Sequence, residues 1–173
     1  MNDKFNNMSR KEAKRLMGTV VDMEWTIKDY ELLEISNVDV EGLPMDFDSR
    51  ANWPTCESVI NHIRDQSNCG SCWAHGTTEA FNDRLCIVTG GTFTELLSVS
   101  DTTGCCNARK CSSFGCNGGQ VSTPWAFFAK YGVVTGGDYD QGKYCYDYTM
   151  GKCNHHQPVS TFPECDDIVQ VQP

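Results

Sequence analysis

The sequence predicts a disulfide-stapled fold organised around two helices. Three observations lead there. Eleven cysteines in 173 residues are far more than a reducing compartment usually carries, and they argue for an oxidising one. Two stretches place apolar residues at helical spacing, and each closes on glycine. The segments between and after them are rich in Gly, Ser and Cys and lack regular patterning, so they read as loops.

Residues 1 to 42 contain no cysteine and many charges. Within them Ser9 to Met17 reads as a short helix, with Ser9 as N-cap and Glu12 completing a capping box. Tyr30 to Glu41 is acidic and weakly patterned, like a linker or a strip lying on something else. Pro44 marks a break, and the cysteines begin at Cys56. Cys72 to about Val88 is the main helix: Ala74, Ala80, Phe81, Leu85 and Val88 recur at helical spacing, and Gly90-Gly91 closes it. Pro124 to Tyr131 is the second, with Trp125, Phe128 and Ala129 as its apolar stripe and Gly132 at the C-cap position. Residues 136 to 165 read as loop held by disulfides. No internal repeat or low-complexity tract occurs.

The formal net charge is −9. No basic stripe is present to neutralise phosphates, which argues against nucleic acid as a partner. No run approaches the ~20 apolar residues of a bilayer-spanning helix. Met1-Asn2-Asp3-Lys4-Phe5 is not followed by the apolar stretch of a secretory signal. Set against the cysteine count, this predicts that the natural N-terminus lies upstream and that Met1 is internal. Asn7-Met8-Ser9 is the single N-glycosylation acceptor.

Cys72 is the candidate nucleophile. A thiol attacks a carbonyl as thiolate, and the first turn of a helix favours the anion through unpaired backbone N–H groups and the helix dipole. Gln66 lies six residues earlier. Its side-chain amide, with the backbone N–H of Cys72, forms a candidate oxyanion hole. The alternative is that Cys69 and Cys72, a C-x-x-C pair, are both structural. A zinc site is disfavoured, because no second pair follows at finger spacing.

The string Gln66-Ser67-Asn68-Cys69-Gly70-Ser71-Cys72-Trp73 resembles the active-site signature of papain-like cysteine peptidases. The resemblance is to the cathepsin B type and runs over most of the chain. Leu43-Pro44 with Phe47-Asp48 resembles a mature N-terminus of that type. Gly115-Cys116-Asn117-Gly118-Gly119 is similar to the glycine segment lining the substrate cleft, and Cys153-Asn154-His155-His156 to the occluding loop. Lys14-Arg15-Leu16-Met17-Gly18-Thr19 resembles the end of a propeptide, with Met17 where the family has Cys.

The resemblance implies an α+β, papain-like fold, of which this chain supplies the mainly helical left lobe without the C-terminal β-barrel lobe. It implies the end of a propeptide over residues 1–42 and the left lobe over 43–173, with an occluding-loop-like segment at 145–165. It implies disulfides Cys56–Cys86, Cys69–Cys116, Cys106–Cys111 and Cys153–Cys165, with Cys72 free. Cys105 and Cys145 pair with each other or stay as exposed thiols. Cys72 and Gln66 are the implied catalytic residues, and Trp73, Gly118, Gly119, His155 and His156 the implied substrate-binding set. The histidine pair would hold a substrate's terminal carboxylate, giving peptidyl-dipeptidase besides endopeptidase action, and Asp65 would latch the loop through His155. Implied partners are peptide or protein substrates and propeptide or cystatin-like inhibitors, with no metal or other cofactor and a lysosomal or extracellular location.

Departures temper this. The family's His base and orienting Asn lie more than about 100 residues past the nucleophile, and the histidines here are His62, His75, His155 and His156. The expectation is a truncated chain without turnover of a dibasic peptide at about pH 5 to 6. His75 replaces a bulky apolar residue, as a substitution rather than a relocated base. Thr102 and Thr103 replace leucines, at an expected loss of ~1.5–3 kcal/mol per side chain if fully buried. Gln120 stands where Tyr is frequent, the occluding loop lacks an arginine, and residues 166 to 173 match no part of the family. Two other readings stay open: a non-catalytic half-cathepsin that captures peptides, propeptides or inhibitors, and a disulfide-rich structural module.

Overall fold

Residues 9–20, 42–154 and 161–169 are described by the structure, a computed structural model. Tyr30 to Glu41, Asn7, His155 and His156 therefore lie outside the described residues. In chain order the helices are α1 (Arg10–Leu16), α2 (Ser49–Asn52), α3 (Glu57–Ile60), α4 (Cys72–Val88), α5 (Val99–Cys105), α6 (Ala108–Cys111) and α7 (Thr123–Tyr131). Short 3-10 turns lie at Pro54–Cys56, Gly115–Asn117 and Cys165–Asp167. Pairing of β type among the described residues is limited to two isolated bridges, Thr19 with Gly119 and Leu97 with Thr135. The described part is thus the helical portion of the expected fold.

The two helices expected from periodicity stand where the apolar residues and glycines put them. Helix α7 starts with Pro124 in its first turn, where a missing N–H costs nothing, and ends on Gly132 at φ 76°. Phe81 of α4 stacks on Phe128 of α7 at 5.0 Å, and Trp125 meets Phe81 edge-on at 6.1 Å. Trp73, Ala74, Val99, Phe127, Phe128, Tyr148 and Met150 are buried in this core. A smaller cluster forms where Cys56 and Val59 pack on Cys86.

Helix α5 was not legible from spacing, because its sequence is Val-Ser-Asp-Thr-Thr-Gly-Cys. Capping and hydroxyl pairing replace the missing apolar stripe. Thr102 and Thr103 are fully buried. The Thr102 hydroxyl meets that of Thr78 at 2.7 Å, and the Thr103 hydroxyl donates to Val99 O at 2.7 Å. The polar atoms are satisfied, so substitution of leucine there leaves no orphaned group. Ser98 caps the helix: its Oγ accepts from the Asp101 N–H at 2.9 Å and donates to Tyr146 O at 2.7 Å. Ser98→Ala should cost about 1–2 kcal/mol, read as a lower midpoint in urea unfolding. An unchanged midpoint would refute the capping role.

Four disulfides are present: Cys56–Cys86, Cys69–Cys116, Cys106–Cys111 and Cys153–Cys165. They are the four that the resemblance implied. Cys105 and Cys145 are both free and exposed, which settles the alternative left open for them. Among the described residues no helix is long and apolar enough to cross a membrane.

Candidate active site

Cys72 is the first residue of α4, and its thiol is free and half-buried. The turn before it is fixed twice. Cys69 is disulfide-bonded to Cys116, and the Gly70 N–H donates to Cys116 O at 3.0 Å. This ties the helix N-terminus to the glycine segment 115–119. Gln66 reaches the same place from the preceding loop, its Nε2 donating to Cys69 O at 2.9 Å.

The groups around Cys72 are engaged by residues 16–20. The Gly18 N–H donates to Cys72 Sγ at 3.1 Å, and the Thr19 hydroxyl lies 3.5 Å from the same sulfur. Gln66 Nε2 donates to Leu16 O at 3.1 Å. Gly119 N–H donates to Gly18 O at 2.7 Å, and Gly119 O accepts from Val20 N–H at 2.9 Å, forming a parallel bridge. One extended stretch thus contacts the sulfur, the side-chain amide and the glycine backbone. It offers the sulfur an N–H, so the thiol meets a donor rather than an electrophilic carbon. Periodicity gave no sign of this contact.

Close backbone approach explains two glycines. A β-carbon on Gly18 would overlap the Gly70 carbonyl, and one on Gly119 would lie 2.6 Å from the Trp73 ring. Trp73 was expected in the substrate-binding set. It is completely buried, with its indole N–H donating to Gly115 O at 3.1 Å. With residues 16–20 in place, its ring packs against Gly119. Gly118, at φ 105°, is buried beside Gly18 and Val20. Asp65 accepts from the Ser67 N–H at 2.7 Å. Its expected latch partner His155 lies outside the described residues, as does His156.

Among the described residues no imidazole is hydrogen-bonded to Cys72. His62 pairs with Asp138 at 3.2 Å. His75 is buried, with Nδ1 3.1 Å from Ser71 O and 3.2 Å from Ser71 Oγ, and its ring stands edge-on to Tyr148 at 5.0 Å. Its ring nitrogen Nδ1 is engaged by Ser71 rather than by Cys72. Burial holds its imidazole down at about 4. One turn on, burial pushes the Glu79 carboxyl up to about 7 against the pull of Arg64. Both line a cleft of about 750 Å³ roofed by Leu16 and Met17. Tyr148 joins Gln66 and Ser71 from far along the chain, its hydroxyl donating to Gln66 O at 2.9 Å and lying 2.9 Å from Ser71 Oγ. Sequence reasoning missed Tyr148, since no local pattern marks a residue 77 positions from its partner.

Comparison with known proteins agrees with this geometry. The family model described as papain family cysteine protease matches residues 43–173. Cathepsin B-like cysteine proteinase 6 of Caenorhabditis elegans is 46% identical over 123 residues, 71% of this chain and 31% of the relative. The cathepsin B-like cysteine proteinase of Schistosoma japonicum is 38% identical over 172 residues, 99% of this chain and 48% of the relative. Among solved structures, procathepsin B S9 from Trypanosoma congolense superposes with a TM-score of 0.63 at 33% identity, covering 78% of this chain and 44% of that one. The chain therefore spans less than half the length of these relatives.

Proposed function

Because the chain belongs to the papain family of cysteine proteases, we propose that residues 43–173 carry the nucleophile side of a cathepsin B-like, peptide-hydrolysing cleft and that residues 1–42 are the end of a propeptide holding it shut. The observation that carries this reading is the single stretch 16–20 on Cys72 Sγ, Gln66 Nε2 and the Gly119 backbone. A substrate would use the same three features. In the open cleft a peptide lies along Gly118 and Gly119 by main-chain hydrogen bonds. The Cys72 thiolate attacks its carbonyl carbon, and the resulting oxyanion is held by Gln66 Nε2–H and the Cys72 N–H. Collapse of that intermediate expels the amine and leaves an acyl-enzyme for water to hydrolyse.

The leaving amine needs a proton and the water a base. Within the family these come from an imidazole, and none is hydrogen-bonded to Cys72 among the described residues. His155 and His156 are the groups we assign to a substrate's terminal carboxylate, since partly protonated imidazoles pair with carboxylates at acidic pH. The disulfides fit a secreted or lysosomal setting.

A peptidyl epoxide tests the cleft. With residues 16–20 displaced by Gly18→Val, it should alkylate Cys72 well ahead of the exposed thiols of Cys105 and Cys145, and adding Cys72→Ala should abolish that preference. Equal labelling of all three thiols, as in the unfolded chain, would sink the reading.

A further inference from the structure

A hydrogen-bond chain runs behind the cleft from His75 to the main chain of Gln66, and acceptor-only atoms fix its direction. Gln66 O is a carbonyl, so the Tyr148 hydroxyl 2.9 Å away must donate to it. That uses the only Tyr148 proton. Ser71 Oγ, 2.9 Å from Tyr148 Oη, must therefore be the donor in that pair. Ser71 O is likewise a carbonyl, so His75 Nδ1 carries a proton and shares it between Ser71 O at 3.1 Å and Ser71 Oγ at 3.2 Å. Ser71, His75 and Tyr148 are all buried, so water does not substitute for a missing member, and each bond is strengthened by its neighbours.

We propose that His75 is a positioning residue for Gln66, acting through Ser71 and Tyr148. The inference rests on the reading of Gln66 as oxyanion donor. The Nδ1 proton leaves Ser71 Oγ free to donate only to Tyr148, which leaves the Tyr148 proton for Gln66 O. Gln66 thereby has its main chain fixed from behind while its side-chain amide faces Cys72's surroundings. A bulky apolar residue at position 75 fills the same space but supplies no proton, so the Ser71 hydroxyl is free to turn to another acceptor.

The test uses the full ¹⁵N-labelled chain and reads the Gln66 side-chain NH2 resonances, assigned by their loss in Gln66→Ala. His75→Phe keeps the volume and removes the donor. It should move the Gln66 pair and speed its exchange with water at least threefold. His75→Asn, which places an N–H near the Nδ1 position, should return both to the parent values. A residue that merely fills space predicts the opposite order, with Phe tolerated and Asn disruptive. An unmoved Gln66 pair in His75→Phe overturns the proposal; His75→Leu takes its place if that variant does not fold. The readout needs no catalysis, so this failure is distinct from failure of the donor reading. The latter is seen separately, with residues 16–20 displaced by Gly18→Val in both chains: if Gln66→Ala then binds an acetylated dipeptide aldehyde as tightly as the chain that keeps Gln66, the proposal is overturned too, by removing what the chain serves.

Discussion

Gly18→Val should open Cys72 to iodoacetamide at least tenfold faster than in the parent chain. The residue sits where the strap 16–20 presses closest to the lobe: a β-carbon there would overlap the Gly70 carbonyl, and the Gly118 and Gly70 backbones leave it no room to shift. Among the described residues four N–H donor hydrogen bonds hold the strap, from Gly18 N–H to Cys72 Sγ, from Gln66 Nε2 to Leu16 O, from Gly119 N–H to Gly18 O and from Val20 N–H to Gly119 O. At roughly 0.5–1.5 kcal/mol net each, they stabilise closure by about 2–6 kcal/mol. Each ~1.4 kcal/mol lost multiplies the open population by ten, so tenfold is a conservative expectation. A circular-dichroism melt of the variant separates opening of the strap from unfolding of the lobe. Mass mapping of the Cys72 peptide separates its alkylation from that of Cys105 and Cys145. An unchanged rate at Cys72 would mean that the strap does not guard the thiol.

The second large effect is on stability against pH. His75 and Glu79 lie one turn apart on α4, with Arg64, Asp65, Asp83 and Asp138 as the charged groups acting on them. Folding lowers the His75 imidazole from 6.5 to about 4. The unfolded chain takes up a proton that the folded one refuses, so His75 favours the fold fully above pH 6.5, and that contribution is lost as pH falls towards 4. At ~1.36 kcal/mol per pH unit the loss is about 3 kcal/mol. Folding raises the Glu79 carboxyl from 4.5 to about 7. Its contribution is present below pH 4.5 and is lost as pH rises through 7. Between pH 4.5 and 6.5 the two slopes oppose each other, and the parent should melt at nearly constant temperature. Removing either group uncovers the other. His75→Phe should melt at progressively lower temperature as pH rises from about 4.5 to 7, and Glu79→Gln at progressively higher temperature across the same range. Circular-dichroism melts at four pH values decide it. Two variants that both track the parent would show that neither group titrates with folding.

Helices α4 and α7 were legible because their apolar residues recur at helical spacing and glycines end them. Helix α5 was not, because a run of Ser and Thr gives no periodic signal. Its formation depends on Thr78 and Tyr146, which come from elsewhere in the chain. The disulfides were reached through resemblance, since spacing alone admits many pairings.

Cys72 was marked by its local string, and its place at the first turn of a helix followed from residues within a few positions of it. What touches its sulfur did not. Gly18 and Thr19 come from more than 50 positions away, and Tyr148 reaches Gln66 and Ser71 across 82 and 77. Local sequence determined the helix that carries the thiol, because propensity, periodicity and end signals act over a few residues. Only the tertiary structure decided that the thiol faces a strap and that Gln66 is fixed from behind, because those contacts arise from the packing of segments that share no sequence pattern.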